Sequence, residues 1–158
     1  MEYYIFDVWL EEGGMDEVPH KATRKIKIAS SRMLHQFAKV ITGAFGFAFD
    51  HPFGFYDSFG NLKNAKKAYE LFVDIGEEPI PSVSRGVKRT KVSEAFQQTG
   101  EKMLFLFDYG DEWRFTVELK EIRKTEEKES EPVILESAGK APAQYPPCED
   151  ENVDDKER

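Results

Sequence analysis

The sequence predicts an α+β fold: a mostly antiparallel sheet with one main amphipathic helix over about 31–43 and one or two shorter helices. Three observations carry this. Leu34, Phe37, Ala38, Ile41 and Phe45 recur at helical spacing, with Val40 and Ala44 at the flank of the stripe. Residues 113–122 alternate apolar and polar types almost throughout, as a strand with one wet face does. The 158 residues fit a single domain. A domain of that size buries about two-thirds of its unfolded surface and needs no disulfide or metal staple.

Each element follows in order. Residues 3–10, Tyr-Tyr-Ile-Phe-Asp-Val-Trp-Leu, are aromatic and β-branched and predict a strand. Gly13 and Gly14 mark a turn or loop. A second strand is predicted at 22–28, where Ala22, Arg24, Ile26 and Ile28 share a face that Arg24 spoils. The loop length suggests an antiparallel pair. Ser30 and Ser31 are N-cap candidates for the main helix, and Gly43 or Gly46 ends it. Residues 47–59 hold six aromatics around His51, and Pro52 and Gly54 prevent a long helix. That segment is expected as a strand or extended piece packed on the helix. Asn61 is read as the cap of a second helix over about 62–73, with Leu62, Ala65, Tyr69, Phe72 and Val73 on one side. Residues 76–90 read as a long loop, punctuated by Gly76, Pro79, Pro81 and Gly86, and 92–98 as a short helix. Residues 102–108 are apolar on both faces and suit a central strand. Tyr109-Gly110-Asp111-Glu112 is a turn, with Gly and Asp available for positive φ. A charged link over 124–131 precedes a short last strand near 132–136. Residues 1–138 are expected to form one α+β domain. Residues 139–158 are expected as a Pro-containing, then acidic, partly flexible C-terminal segment.

Charge and cysteine content narrow the function. The net charge is −8, and residues 126–158 hold 11 Asp+Glu against 4 Lys+Arg, a net of −7. The body is therefore nearly neutral, and a global basic footprint for nucleic acid is absent. One basic cluster, Arg85, Lys88, Arg89 and Lys91, offers phosphate contacts, although the net field opposes a polyanion. One Cys rules out a disulfide framework and a multi-cysteine zinc site. There is no apolar run near 18 residues and no basic-then-apolar start. A soluble cytoplasmic protein without membrane contact is expected.

Three stretches carry a family resemblance. The first is Met33-Leu34-His35-Gln36-Phe37 leading through Val40–Phe47 to His51 and Phe55. The second is Phe105-Leu106-Phe107-Asp108-Tyr109-Gly110-Asp111-Glu112-Trp113. The third is Gly139-Lys140-Ala141-Pro142 leading to Tyr145-Pro146-Pro147-Cys148-Glu149-Asp150. Together, over roughly residues 3–150, they resemble the plasmid pRiA4b Orf-three-like family, also called TnpR-type insertion-element passenger proteins. The Asp-Tyr-Gly-Asp-Glu-Trp turn is the most specific part. Phe47 stands where the family has Trp, and Cys148 interrupts its Pro-Pro-Glu-Asp motif. The resemblance implies a link to mobile elements and no assigned activity. The sequence holds no serine-recombinase pattern, so that chemistry is not carried over.

The chemistry-bearing residues admit one candidate site: His51, Asp108, Asp111, Glu112, Trp113, Glu149 and Asp150. Carboxylates plus one imidazole suit a divalent metal, with Asp108 and Asp111 as ligands, and such a site activates water for phosphodiester hydrolysis. Asp and Gly are equally ordinary turn residues, and Trp113 packs as core or covers the turn. Cys148 sits beside Glu149 and Asp150, which oppose a lowered thiol pKa. His20 and His35 have no evident partner. The leading expectation is a non-enzymatic interaction or accessory module without a cofactor, whose partner is a protein with a basic face. The alternatives are a metal-dependent hydrolase or nuclease and a DNA-associated protein.

Overall fold

The structure is a computed structural model and describes residues 1–14 and 21–145. The described elements run β1 (Glu2–Glu12), β2 (Thr23–Ala29), α1 (Leu34–Ala44), β3 (Phe53–Tyr56), β4 (Ala68–Glu70), α2 (Leu71–Asp74), α3 (Val92–Ala95), β5 (Lys102–Phe107), β6 (Trp113–Lys124) and β7 (Val133–Ala138). Among the described residues, seven strands form one sheet in the order β4-β3-β5-β6-β1-β2-β7, and every strand pair is antiparallel. The α+β class expected from the sequence is what forms, and β1 and β2 pair as expected. No described helix is long and apolar enough to cross a membrane.

Period two divides the side chains between the faces of the sheet. Phe6, Val8 and Leu10 of β1, Met103, Phe105 and Phe107 of β5 and Phe115, Val117 and Leu119 of β6 join the main core. Leu34, Phe37, Ala38 and Ile41 of α1 cover that face. Phe37 meets Phe6 with ring centroids 4.5 Å apart and stacks on Phe55 at 5.9 Å. On the opposite face Leu104 and Leu106 join Tyr56, Ala65 and Ala68 in a smaller cluster. Arg24, the misfit in β2, donates from Nε to the Ala44 carbonyl at 2.8 Å and lies over the Phe45 ring. A cation there complements the C-terminal end of α1.

Four local expectations are corrected. The main helix begins at Leu34, not 31, and neither Ser30 nor Ser31 caps it. Backbone bonds to the 87–93 segment hold 30–33 out of the helix: Leu34 N–H donates to Thr90 O, Val92 N–H to Arg32 O and Ser93 N–H to Ser30 O. The predicted helix over 62–73 does not form as one element, and only its last residues are α-helical, in α2. Asn61 caps only a 3₁₀ turn, Leu62–Asn64, through Lys63 N–H at 3.0 Å. Asp57 then accepts Lys66 N–H and donates its own N–H to Lys67 O, which keeps the chain extended so that β4 pairs with β3. The short helix stops at Ala95, because Glu101 takes the N–H groups of Gln97 and Gln98. In the 108–112 turn, positive φ falls on Asp108 (68°) and Glu112 (51°), not on Gly110. Asp108 tolerates it because its Oδ1 accepts Gly110 N–H at 3.0 Å and Asp111 N–H at 3.3 Å.

Candidate functional site

The turn after β5 and the segment entering β3 meet at one corner. Asp108 N–H donates to Pro52 O at 3.0 Å, which brings Asp108 beside His51. His51 Nε2 lies 3.6 Å from Asp108 Oδ2, and its Nδ1 lies 2.8 Å from Asp50 Oδ1. Tyr145 donates its hydroxyl to Asp50 Oδ2 at 2.8 Å and sits 3.1 Å from His51 Nδ1. Gln144 fixes this arrangement: its Oε1 accepts Ala48 N–H at 2.7 Å and its Nε2 donates to Asp50 Oδ1 at 3.1 Å. The 139–145 segment is thus strapped onto the aromatic segment before β3.

The electrostatics follow from these contacts. The hydrogen bond to Asp50 raises the His51 pKa, the fields of Asp108, Asp50 and Asp111 add to this, and burial only partly opposes it. Burial pushes Asp50 upward, but the bonds from Tyr145, His51 and Gln144 outweigh it and the carboxyl lies below its usual value. Burial and the bond to Asp50 push Tyr145 up to about 12. His51 therefore sits between two carboxyl groups, Asp50 and Asp108, an arrangement that favours its protonated form.

A groove of about 470 Å³ opens beside this clamp. Phe49, Phe53, Leu71 and Ile75 supply apolar lining, and Ile75 is 49% exposed. His35, Asp50, His51 and Lys88 supply the polar groups. The His35 ring meets Phe49 edge-on at 5.3 Å. Burial and the nearby Lys88 lower its pKa, so the two imidazoles of one groove are biased in opposite directions.

The sequence-predicted residues divide. His51 and Asp108 come together. Asp111 and Glu112 line a separate acidic hollow with Glu12 and Arg114, and Glu112 pairs with Arg114 at 3.1 Å. Trp113 is buried, meets Phe47 at 4.8 Å and lies against Gly13 and Gly14, so it belongs to the core. Glu149, Asp150 and Cys148 lie outside the described residues, as does His20. Among the described residues no group of three or more His, Cys, Asp and Glu side chains is arranged to hold a metal ion. Arg85, Lys88, Arg89 and Lys91 are all exposed on the loop from α2 to α3, and of these four only Lys88 reaches the groove.

Sequence reasoning missed several participants. Asp50, adjacent to His51, was legible as a neighbour but not as its partner. His35 needed the fold to bring Lys88 and Phe49 beside it. A second missed cluster lies on the opposite face. Glu70 is fully buried, accepts from the Tyr56 hydroxyl and takes Ile80 N–H at 3.1 Å. Tyr56 and Tyr109 share a hydrogen bond of 2.6 Å between their hydroxyls. Burial raises the pKa of both phenols, so both stay protonated.

The comparisons with known proteins agree with this architecture. A crystal structure titled as a protein of unknown function, MM3350, from Methanosarcina mazei Go1 is similar, with a TM-score of 0.67. It shares 18% identity, with 90% of this chain and 72% of that chain covered, so the likeness shows the fold alone. No curated protein matches the sequence. The family model described as plasmid pRiA4b ORF-3-like protein matches residues 14–145, most of the chain and both halves of the corner just described, and the chain belongs to that family.

Proposed function

We propose that this domain is a non-enzymatic binding module that receives an apolar group bearing a negative charge, carried by a partner protein. The observation that carries the reading is the groove at His35, His51 and Lys88. Its volume is within the range of ligand sites, about 300–1,000 Å³, and its apolar lining carries few polar groups. His51 is already matched by Asp50 and Asp108. Among the described residues Lys88 is in no ion pair, so it supplies the charge for an incoming anion. Association with mobile elements belongs to the same proposal and rests on family resemblance alone.

Aromatic carboxylates such as phenylacetate, titrated into the full chain and followed by amide NMR, test this. Shifts are expected at 35, 49–53, 71–75 and 88, with Ile75→Lys and Lys88→Glu each weakening them at least fivefold. Movement confined to other residues sinks the reading.

A further inference from the structure

The two edges of the sheet are finished differently. At the β4 edge the chain covers itself: Glu70 N–H donates to Arg85 O at 2.9 Å and Arg85 N–H donates to Ala68 O at 3.0 Å. All three residues of β4 are buried. At the other edge β7 pairs only with β2 among the described residues. All six of its residues are exposed. Val133, Ile134 and Leu135 stand side by side at 45%, 44% and 41% exposure. Sheet proteins blunt such edges with charge, proline, bulges or covering loops. Here the protection is thin: Pro132 before the strand, one Glu within it, and a bulge opposite Lys25–Ile26.

Charge selects what pairs there. Residues 126–138 hold five Glu and one Lys. Arg32 meets Glu129 and Glu131, and Lys25 reaches Glu136 at 3.9 Å, while the other acidic groups face solvent. A second copy would bring the same acidic edge against this one, and like charges opposed across strands destabilise pairing. We infer that β7 is a strand-addition site for an extended segment of a partner protein in which basic and aliphatic residues alternate. Backbone bonds from such a segment continue the sheet, its aliphatic side chains cover Ile134 on the face shared with Ile26, and its cations meet Glu131 and, on the other face, Glu136, which Lys25 already reaches. This surface is independent of the groove.

The test uses the full chain and a labelled nine-residue peptide of alternating Lys and Val. Saturable binding is expected, with amide shifts confined to 23–29 and 133–138. N-methylation of alternate peptide amides abolishes it, and the double variant Ile134→Lys/Leu135→Lys and the single variant Glu136→Lys each weaken it at least tenfold. Binding that survives N-methylation is charge attraction and overturns the inference, as does the absence of saturable binding. A concentration-dependent doubling of mass in sedimentation, abolished in the β7 double variant, overturns it in favour of a second copy.

Discussion

Tyr56→Phe isolates the buried Glu70 carboxylate. The substitution removes one oxygen and keeps the ring, so the packing against Leu104 and Leu106 stays. Two hydrogen bonds go: the one donated to Glu70 and the one shared with Tyr109. A bond to a charged group contributes about 1.5–3 kcal/mol and a neutral one about 0.5–1.5 kcal/mol. Glu70 is fully buried, so no water replaces the lost donor, and Ile80 N–H remains. The expected loss is about 2–4.5 kcal/mol from these two contributions. Tyr109→Phe removes only the phenol–phenol bond and should cost about 1 kcal/mol. Urea unfolding measures both through the midpoint at constant slope. If Tyr56→Phe costs no more than Tyr109→Phe, Glu70 does not depend on the Tyr56 hydroxyl and the reasoning fails.

Three further predictions concern the corner and two glycines. The folded His51 pKa is raised, so its contribution to stability is full below the unfolded imidazole value of about 6.5 and is lost as pH rises through the folded value. Asp50→Asn should lower the His51 pKa in an NMR titration and flatten that pH dependence; an unmoved titration would show that Asp50 is not the main cause. Gly43 lies in α1 with open space where a Cβ would sit, so Gly43→Ala should stabilise by about 0.5–1 kcal/mol in thermal unfolding. Gly13 has φ +150° and a Cβ there would lie 2.6 Å from the Trp113 Cα, so Gly13→Ala should lower the melting temperature, and an unchanged value would refute that contact.

Legibility tracked how local the determining forces are. The stripe of α1 and the alternation of β6 are each written within about a dozen residues, and both elements formed over those residues. The segment 62–73 shows the opposite case. Its apolar spacing fits a helix, yet Tyr69 packs in the main core and Ala68 in the cluster on the far face. Only a strand puts neighbours on opposite faces, and pairing with β3 decided the matter. The site was half readable for the same reason. His51 and the Asp108 turn are visible as residues, but the Pro52–Asp108 backbone bond that joins them is a contact between strands distant in sequence. Tyr145 and Gln144 act from almost a hundred positions away.

The place of β1 in the sheet also sets a timetable. A strand that starts at residue 2 is completed on one side by β2 and on the other by β6, which ends at residue 124. Closing so long a loop precedes any reward from the pairing, and such topologies fold slowly. During synthesis, at about 5–20 residues per second, β1 leaves the ribosome roughly 5–20 s before its second neighbour exists. For that interval this apolar interior strand keeps one unpaired edge, and β2 alone of its two neighbours is present to cover it.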